Sequence, residues 1–156
     1  MSKGIGVTTI DTSGRRLGVL AETKSARWKA GGVTIDWSTV ATNGSDTTLP
    51  DGQVVPAGTK YLRYGQILMK ITSGGKFGPA DTSATGTGRE LVTNAVRGDA
   101  FVLDKTITEA DTNSSVIGNV FDGGMVFKGR LLIGGSNQPT EANFETMFPG
   151  ITFVTD

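Results

Sequence analysis

Apolar positions along the chain fall into short runs, and the densest of them lie between Gly58 and Leu103. The segment Gln66-Ile67-Leu68-Met69-Lys70-Ile71 is too short between glycines for a helix, and its apolar content predicts a buried strand within 61–71. Ala100-Phe101-Val102-Leu103, running on into the alternating Lys105-Thr106-Ile107-Thr108, predicts a second strand over 100–107. Between them, Gly74-Gly75-Lys76-Phe77-Gly78-Pro79 offers three glycines and a proline, the residues that supply the backbone angles of a tight turn.

Elsewhere the pattern is thinner. Residues 1–27 mix Gly, Thr, Ser and charge, with apolar pairs such as Val19-Leu20 too isolated to form a face, and read as weakly structured. Val33, Ile35 and Trp37 then alternate with Thr34, Asp36 and Ser38, the period of a strand with one buried side. Nothing nearby in the sequence covers that side. Asn43-Gly44-Ser45-Asp46 and Leu49-Pro50-Asp51-Gly52 are turn signals that mark a linker or an exposed hairpin end, and Pro56 suits a sheet edge. Polar Thr108 to Ser115 reads as a loop. Asp122-Gly123-Gly124 predicts a tight hairpin between a strand at Val116 to Phe121 and a return strand at Met125 to Ile133. A helix is expected from about Pro139 to Phe148, with Phe144, Met147 and Phe148 at i, i+3 and i+4 on a core-facing side and Pro149-Gly150 as its stop. Ile151 to Val154 closes the chain as a last short strand. The expected fold is mainly β with one short C-terminal helix.

A chain of 156 residues can form one core, burying roughly two thirds of its unfolded surface. Its 23 glycines favour turns and strands over helices. Cysteine is absent, which removes disulfides and thiolate metal sites. No window approaches the roughly 20 apolar residues of a membrane span, so the expectation is a soluble product made in the cytosol, with no membrane partner. Charge sums to zero but is uneven. Residues 1–30 hold six bases and two acids; residues 31–156 hold nine bases and thirteen acids. A basic leader can bind nucleic acid, yet a solvated terminus explains it more simply, and no nucleic-acid partner is expected.

Candidate chemistry is sparse. Without histidine there is no Ser-His-Asp or Cys-His nucleophile, no histidine general base and no histidine metal site. Asp99, Asp104, Glu109, Asp111 and Asp122 are spaced like solvated loop and strand-end residues and not like a catalytic pair. The glycine-rich stretches 118–124 and 129–135 have neither a Walker ending nor a dinucleotide fingerprint. Arg97-Gly98-Asp99 spells a cell-adhesion tripeptide, but a turn entering the Phe101 strand accounts for it as well. No cofactor, no metal and no enzymatic activity are expected.

Four segments carry a family resemblance: Leu68-Met69-Lys70-Ile71, the Gly75-Lys76-Phe77-Gly78-Pro79 turn, Gly98-Asp99-Ala100-Phe101, and Phe121-Asp122-Gly123-Gly124. Together, over roughly Gly58 to Leu132, they resemble the head decoration (capsid cement) proteins of tailed bacteriophages, the lambda-type family. The resemblance implies a bent β-ribbon, β-clip-like domain that sits as a homotrimer on the outer surface of a phage head and ties neighbouring major capsid subunits together. It also implies a virion location. The trimeric dUTP-hydrolysing enzymes share a related fold, but their Arg-Ser-Gly and Gly-x-Ile-Asp-x-x-Tyr elements are missing here. A carbohydrate-binding or adhesive module of a phage fibre is the alternative, because Trp28 and Trp37 can stack on sugars. The chain then divides into an extended N-terminal arm with one strand over 1–50 and a β-rich decoration domain over 51–156. Trp28, Val33, Ile35 and Trp37 are the expected capsid-binding residues, acting by strand addition to a shell sheet. Should that strand instead pack in the body's own sheet, Trp37 becomes a stability residue.

Overall fold

The apolar runs of the sequence become neighbouring strands in the middle of one sheet, and they are apolar throughout because both of their faces are covered. The computed structural model describes residues 18–90, 98–110, 116–135 and 140–155. Its elements are β1 (Leu20–Trp28), β2 (Val33–Thr34), β3 (Thr47–Thr48), β4 (Val54–Val55), β5 (Tyr61–Leu62), β6 (Ile67–Lys70), β7 (Phe77–Pro79) and β8 (Ala100–Leu103). There follow β9 (Ile107–Thr108), β10 (Val116–Ile117), β11 (Val120–Phe127), the helix α1 (Glu141–Met147) and β12 (Gly150–Val154). The protein is mainly β with one short helix near its C-terminus. The principal sheet has the order β1-β11-β8-β6-β7, all antiparallel, and β12 joins β11 in parallel. Small two-stranded pairs, β10-β2, β3-β4 and β5-β9, flank it.

Alternation along the central strands sends successive side chains to opposite faces. Ile67, Met69, Ala100, Val102 and Phe121 face one layer, where Val19, Leu20 and the α1 residues Phe144 and Met147 cover them together with Phe148. Leu68, Phe101, Leu103 and Val120 face the other, beneath Val33, Ile35, Trp37, Val40 and Phe77. The helix places Phe144, Met147 and Phe148 in the core, as its spacing predicts. Its cap is Thr140, which accepts from the Asn143 amide while the Asn143 side chain accepts from the Thr140 backbone.

Three expectations are corrected. The strands expected over 61–71 and 100–107 are each broken, the first by a turn at Arg63–Gly65 into β5 and β6 and the second into β8 and β9; β5 pairs with β9, and β6 with β7 and β8. Asp122-Gly123-Gly124 forms no hairpin, since the backbone runs straight through it within β11. Glu22 faces Met125 and Arg27 faces Gly123, so five steps along β1 answer two along β11, and β1 bulges against its partner. An added Cβ on Gly123 would lie 2.9 Å from the Arg27 Cβ, and one on Gly124 would lie 3.1 Å from the Ala26 Cα. The glycines are there to admit the bulge. The expected partner strand at Val116 pairs with β2 instead.

The third correction concerns the arm. Within the described residues, 18–50 is not an appendage: β1 is an edge strand of the principal sheet, and Val33, Ile35, Trp37 and Val40 roof its second face. The expected boundary at residue 50 falls inside the β3–β4 hairpin, where the Leu49 amide donates to Gln53 and the Gly52 amide to Leu49. Residues 1–17, most of the segment read as weakly structured, lie outside the described residues, as does Arg97 of the adhesion tripeptide.

Candidate functional site

The four residues expected to grip a partner separate into one surface residue and three core residues. Val33 pairs with Ile117, and Ile35 forms a bridge to Phe77. The chain then turns into a 3-10 turn, Trp37–Thr39, started by Asp36, whose Oδ1 accepts from the Ser38 amide at 3.1 Å and the Ser38 hydroxyl at 2.6 Å. That hydroxyl bond holds the Asp36 carboxyl below its ordinary range. The turn drives the Trp37 ring inward, to 6% exposure, and Lys60 Nζ donates to its carbonyl at 2.9 Å. Val33, Ile35 and Trp37 are therefore unavailable to a partner. Trp28 is 43% exposed, its ring edge-on to Phe121 with centroids 5.6 Å apart. Val54 and Val116 are the other large apolar side chains exposed among the described residues.

A second feature was not anticipated. The loop Val40–Gly44, the strand segment Tyr61–Arg63, and Gln66, Pro79 and Leu132 enclose an open cleft of about 450 Å³. Arg63 and Gln66 reach it from the two ends of a clamped turn: the Gln66 amide donates to Arg63 at 3.1 Å, the Gly65 amide to Leu103 at 2.7 Å and the Leu132 amide to Gly65 at 2.9 Å. Arg63 lies with its guanidinium carbon 4.9 Å from the centre of the Tyr64 ring. The one signal in the sequence is a basic residue set beside Tyr64-Gly65 in the most apolar part of the chain.

Two carboxylates differ from the solvated reading. Asp122 is buried at the point where one edge of β11 passes from pairing with β8 to pairing with β12, and Arg27 Nε meets its Oδ1 at 2.8 Å. Arg27→Ala is expected to lower stability by about 1–2 kcal/mol in urea unfolding, since the arginine is itself half exposed and the stranded carboxylate can recruit some water. Asp104, at the end of β8, is half buried with no side-chain hydrogen bond, and burial raises its carboxyl above the ordinary 3.8. A raised acid binds its proton more tightly folded than unfolded, so its contribution falls as pH rises from 3.8 through the folded value. Asp104→Asn should therefore stabilise the protein near neutral pH and lose that advantage below pH 3.8, as urea midpoints at both pH values would reveal. Among the described residues, no three His, Cys, Asp or Glu side chains gather in a way that could hold a metal ion. No described helix is long and apolar enough to cross a membrane.

The chain matches no model of a known protein family, no curated protein and no solved structure.

Proposed function

We propose that this protein is a structural component of a phage head, a decoration protein that binds the outer surface of the shell as a homotrimer, ties major capsid subunits together and catalyses nothing. The supporting observation is the placement of the four segments that carry the family resemblance. Phe121 to Gly124 lies in β11, Gly98 to Phe101 enters β8, Leu68 to Ile71 covers β6 and its end, and Gly75 to Pro79 turns into β7. These are four consecutive strands of one sheet. Segments far apart in sequence thus make one continuous unit. The exposed edges that β-rich chains leave favour self-association into closed symmetric assemblies, and among the described residues nothing pairs with the outer edge of β12.

The shell contact narrows to the surface around Trp28, because the other three expected residues build the core. The carbohydrate reading loses one of its two stacking faces for the same reason. Purified protein should co-sediment with undecorated phage heads and scatter light as a trimer; a monomer that stays in the supernatant would sink the reading. Trp28→Ala should weaken head binding about tenfold while shifting stability by less than about 1 kcal/mol. Unchanged head binding would remove Trp28 from the interface.

A further inference from the structure

Each described arginine but one donates to an oxygen of the protein. Arg27 reaches Asp122, Arg89 Nη1 reaches the Pro79 carbonyl at 2.9 Å, and Arg130 Nη1 reaches the Gly18 carbonyl at 2.6 Å. The Arg63 side chain makes no hydrogen bond and no ion pair, and its Nε, like that of Arg89, is buried without an acceptor. A guanidinium carries its donors in a rigid fork suited to two carboxylate oxygens, and one left without any acceptor calls for an explanation.

Its surroundings supply one. Among the described residues Arg63 is the only charged side chain lining the cleft, where Thr42, Asn43 and Gln66 are polar and Ala41, Pro79 and Leu132 present apolar surface, while Val40 and Leu62 are buried. No described acidic residue lines it, so the charge that the described lining carries is positive. The arginine is also held in place, by the clamped turn beneath it and by the Tyr64 ring. We propose that this cleft docks an acidic side chain of a protein partner, a Glu or Asp flanked by apolar residues, with Arg63 binding the carboxylate and the apolar wall binding the flanking side chains. A lone inorganic anion would leave that wall unused, and a purely apolar segment would leave Arg63 unpaired. The cleft shares no residue with the Trp28 surface, and the proposal goes beyond the decoration reading: it holds whether or not the partner is a phage shell.

The test is an amide NMR titration of the full chain with Ac-Leu-Glu-Leu-amide and with its Ac-Leu-Gln-Leu-amide counterpart. Saturable shifts are expected at Thr42, Gly44, Tyr61, Arg63 and Gln66 with the glutamate peptide, and binding about fivefold or more weaker with the glutamine peptide. Arg63→Gln should remove the difference between the two peptides while its spectrum stays dispersed. Should that variant not fold, the two peptides on the native chain decide alone. Equal response to both peptides, no saturable shift, or the same shifts produced by sodium acetate or phosphate alone would overturn the proposal. So would concentration-dependent shifts at these residues without peptide, which would make a second copy of the chain the occupant.

Discussion

Replacing Trp37 with alanine should lower the melting temperature of the isolated protein by about 10 °C. The ring is buried against the second face of the sheet, in the layer with Val33, Ile35, Leu68 and Phe101, and truncating a core tryptophan costs about 3–5 kcal/mol through lost transfer energy and the cavity left behind. For a chain of this size each kcal/mol corresponds to roughly 2–4 °C. Trp37→Phe should cost less, about 1–2 kcal/mol, because it keeps most of the packing and deletes an indole Nε1 that is buried without an acceptor. Melting at one fixed protein concentration checks both variants, since an oligomer's melting point moves with concentration. A shift of only a degree or two for the alanine variant, joined to weakened partner binding, would restore the reading of this segment as a detachable anchor.

Gly65→Ala should be as damaging, at about 3 kcal/mol or more. Gly65 has a φ of +86°, a conformation that costs an L-residue about 1–2 kcal/mol, and an added Cβ would run into the carbonyl oxygen of Arg130. Neither side can yield easily. The Gly65 amide is bound to Leu103 at the end of β8 and its carbonyl to Leu132, so the turn is clamped between two segments distant in sequence. Gly58→Ala is the control: its φ is +82°, yet nothing lies within 4 Å of an added Cβ, and it should lose only about 1–2 kcal/mol. The difference between the two urea midpoints isolates the steric part. Equal losses would mean that the Arg130 segment moves aside.

Local pattern was enough for the parts of the fold whose burial is complete. Ile67 to Met69 and Ala100 to Leu103 are apolar at every position, and in runs too short for a helix a strand covered on both faces is what places every such side chain out of water. The helix was legible for a related reason, since Phe144, Met147 and Phe148 fall on one side at helical spacing, although its cap, Thr140 with Asn143, was not read from the sequence. The candidate site was hardly legible. Arg63 sits in a segment that reads as continuous strand, and the lack of a described carboxylate in the cleft around it is a property of the loop 40–44, Pro79 and Leu132 that surround it.

The identity of each strand's neighbour was decided elsewhere in the chain. Asp122-Gly123-Gly124 carries the same local preference in a hairpin and in a bulge-facing strand, and what selects the second is β1, about a hundred residues earlier, pressing Ala26 and Arg27 against those glycines. Val33, Ile35 and Trp37 show by their alternation that one side must be buried, but the surface that buries it belongs to β6, β8 and β11. A strand edge offers the same amides and carbonyls to any partner. The choice among partners rests on the side chains that a given pairing brings together across the sheet, and those lie too far apart in sequence for any local window to contain them.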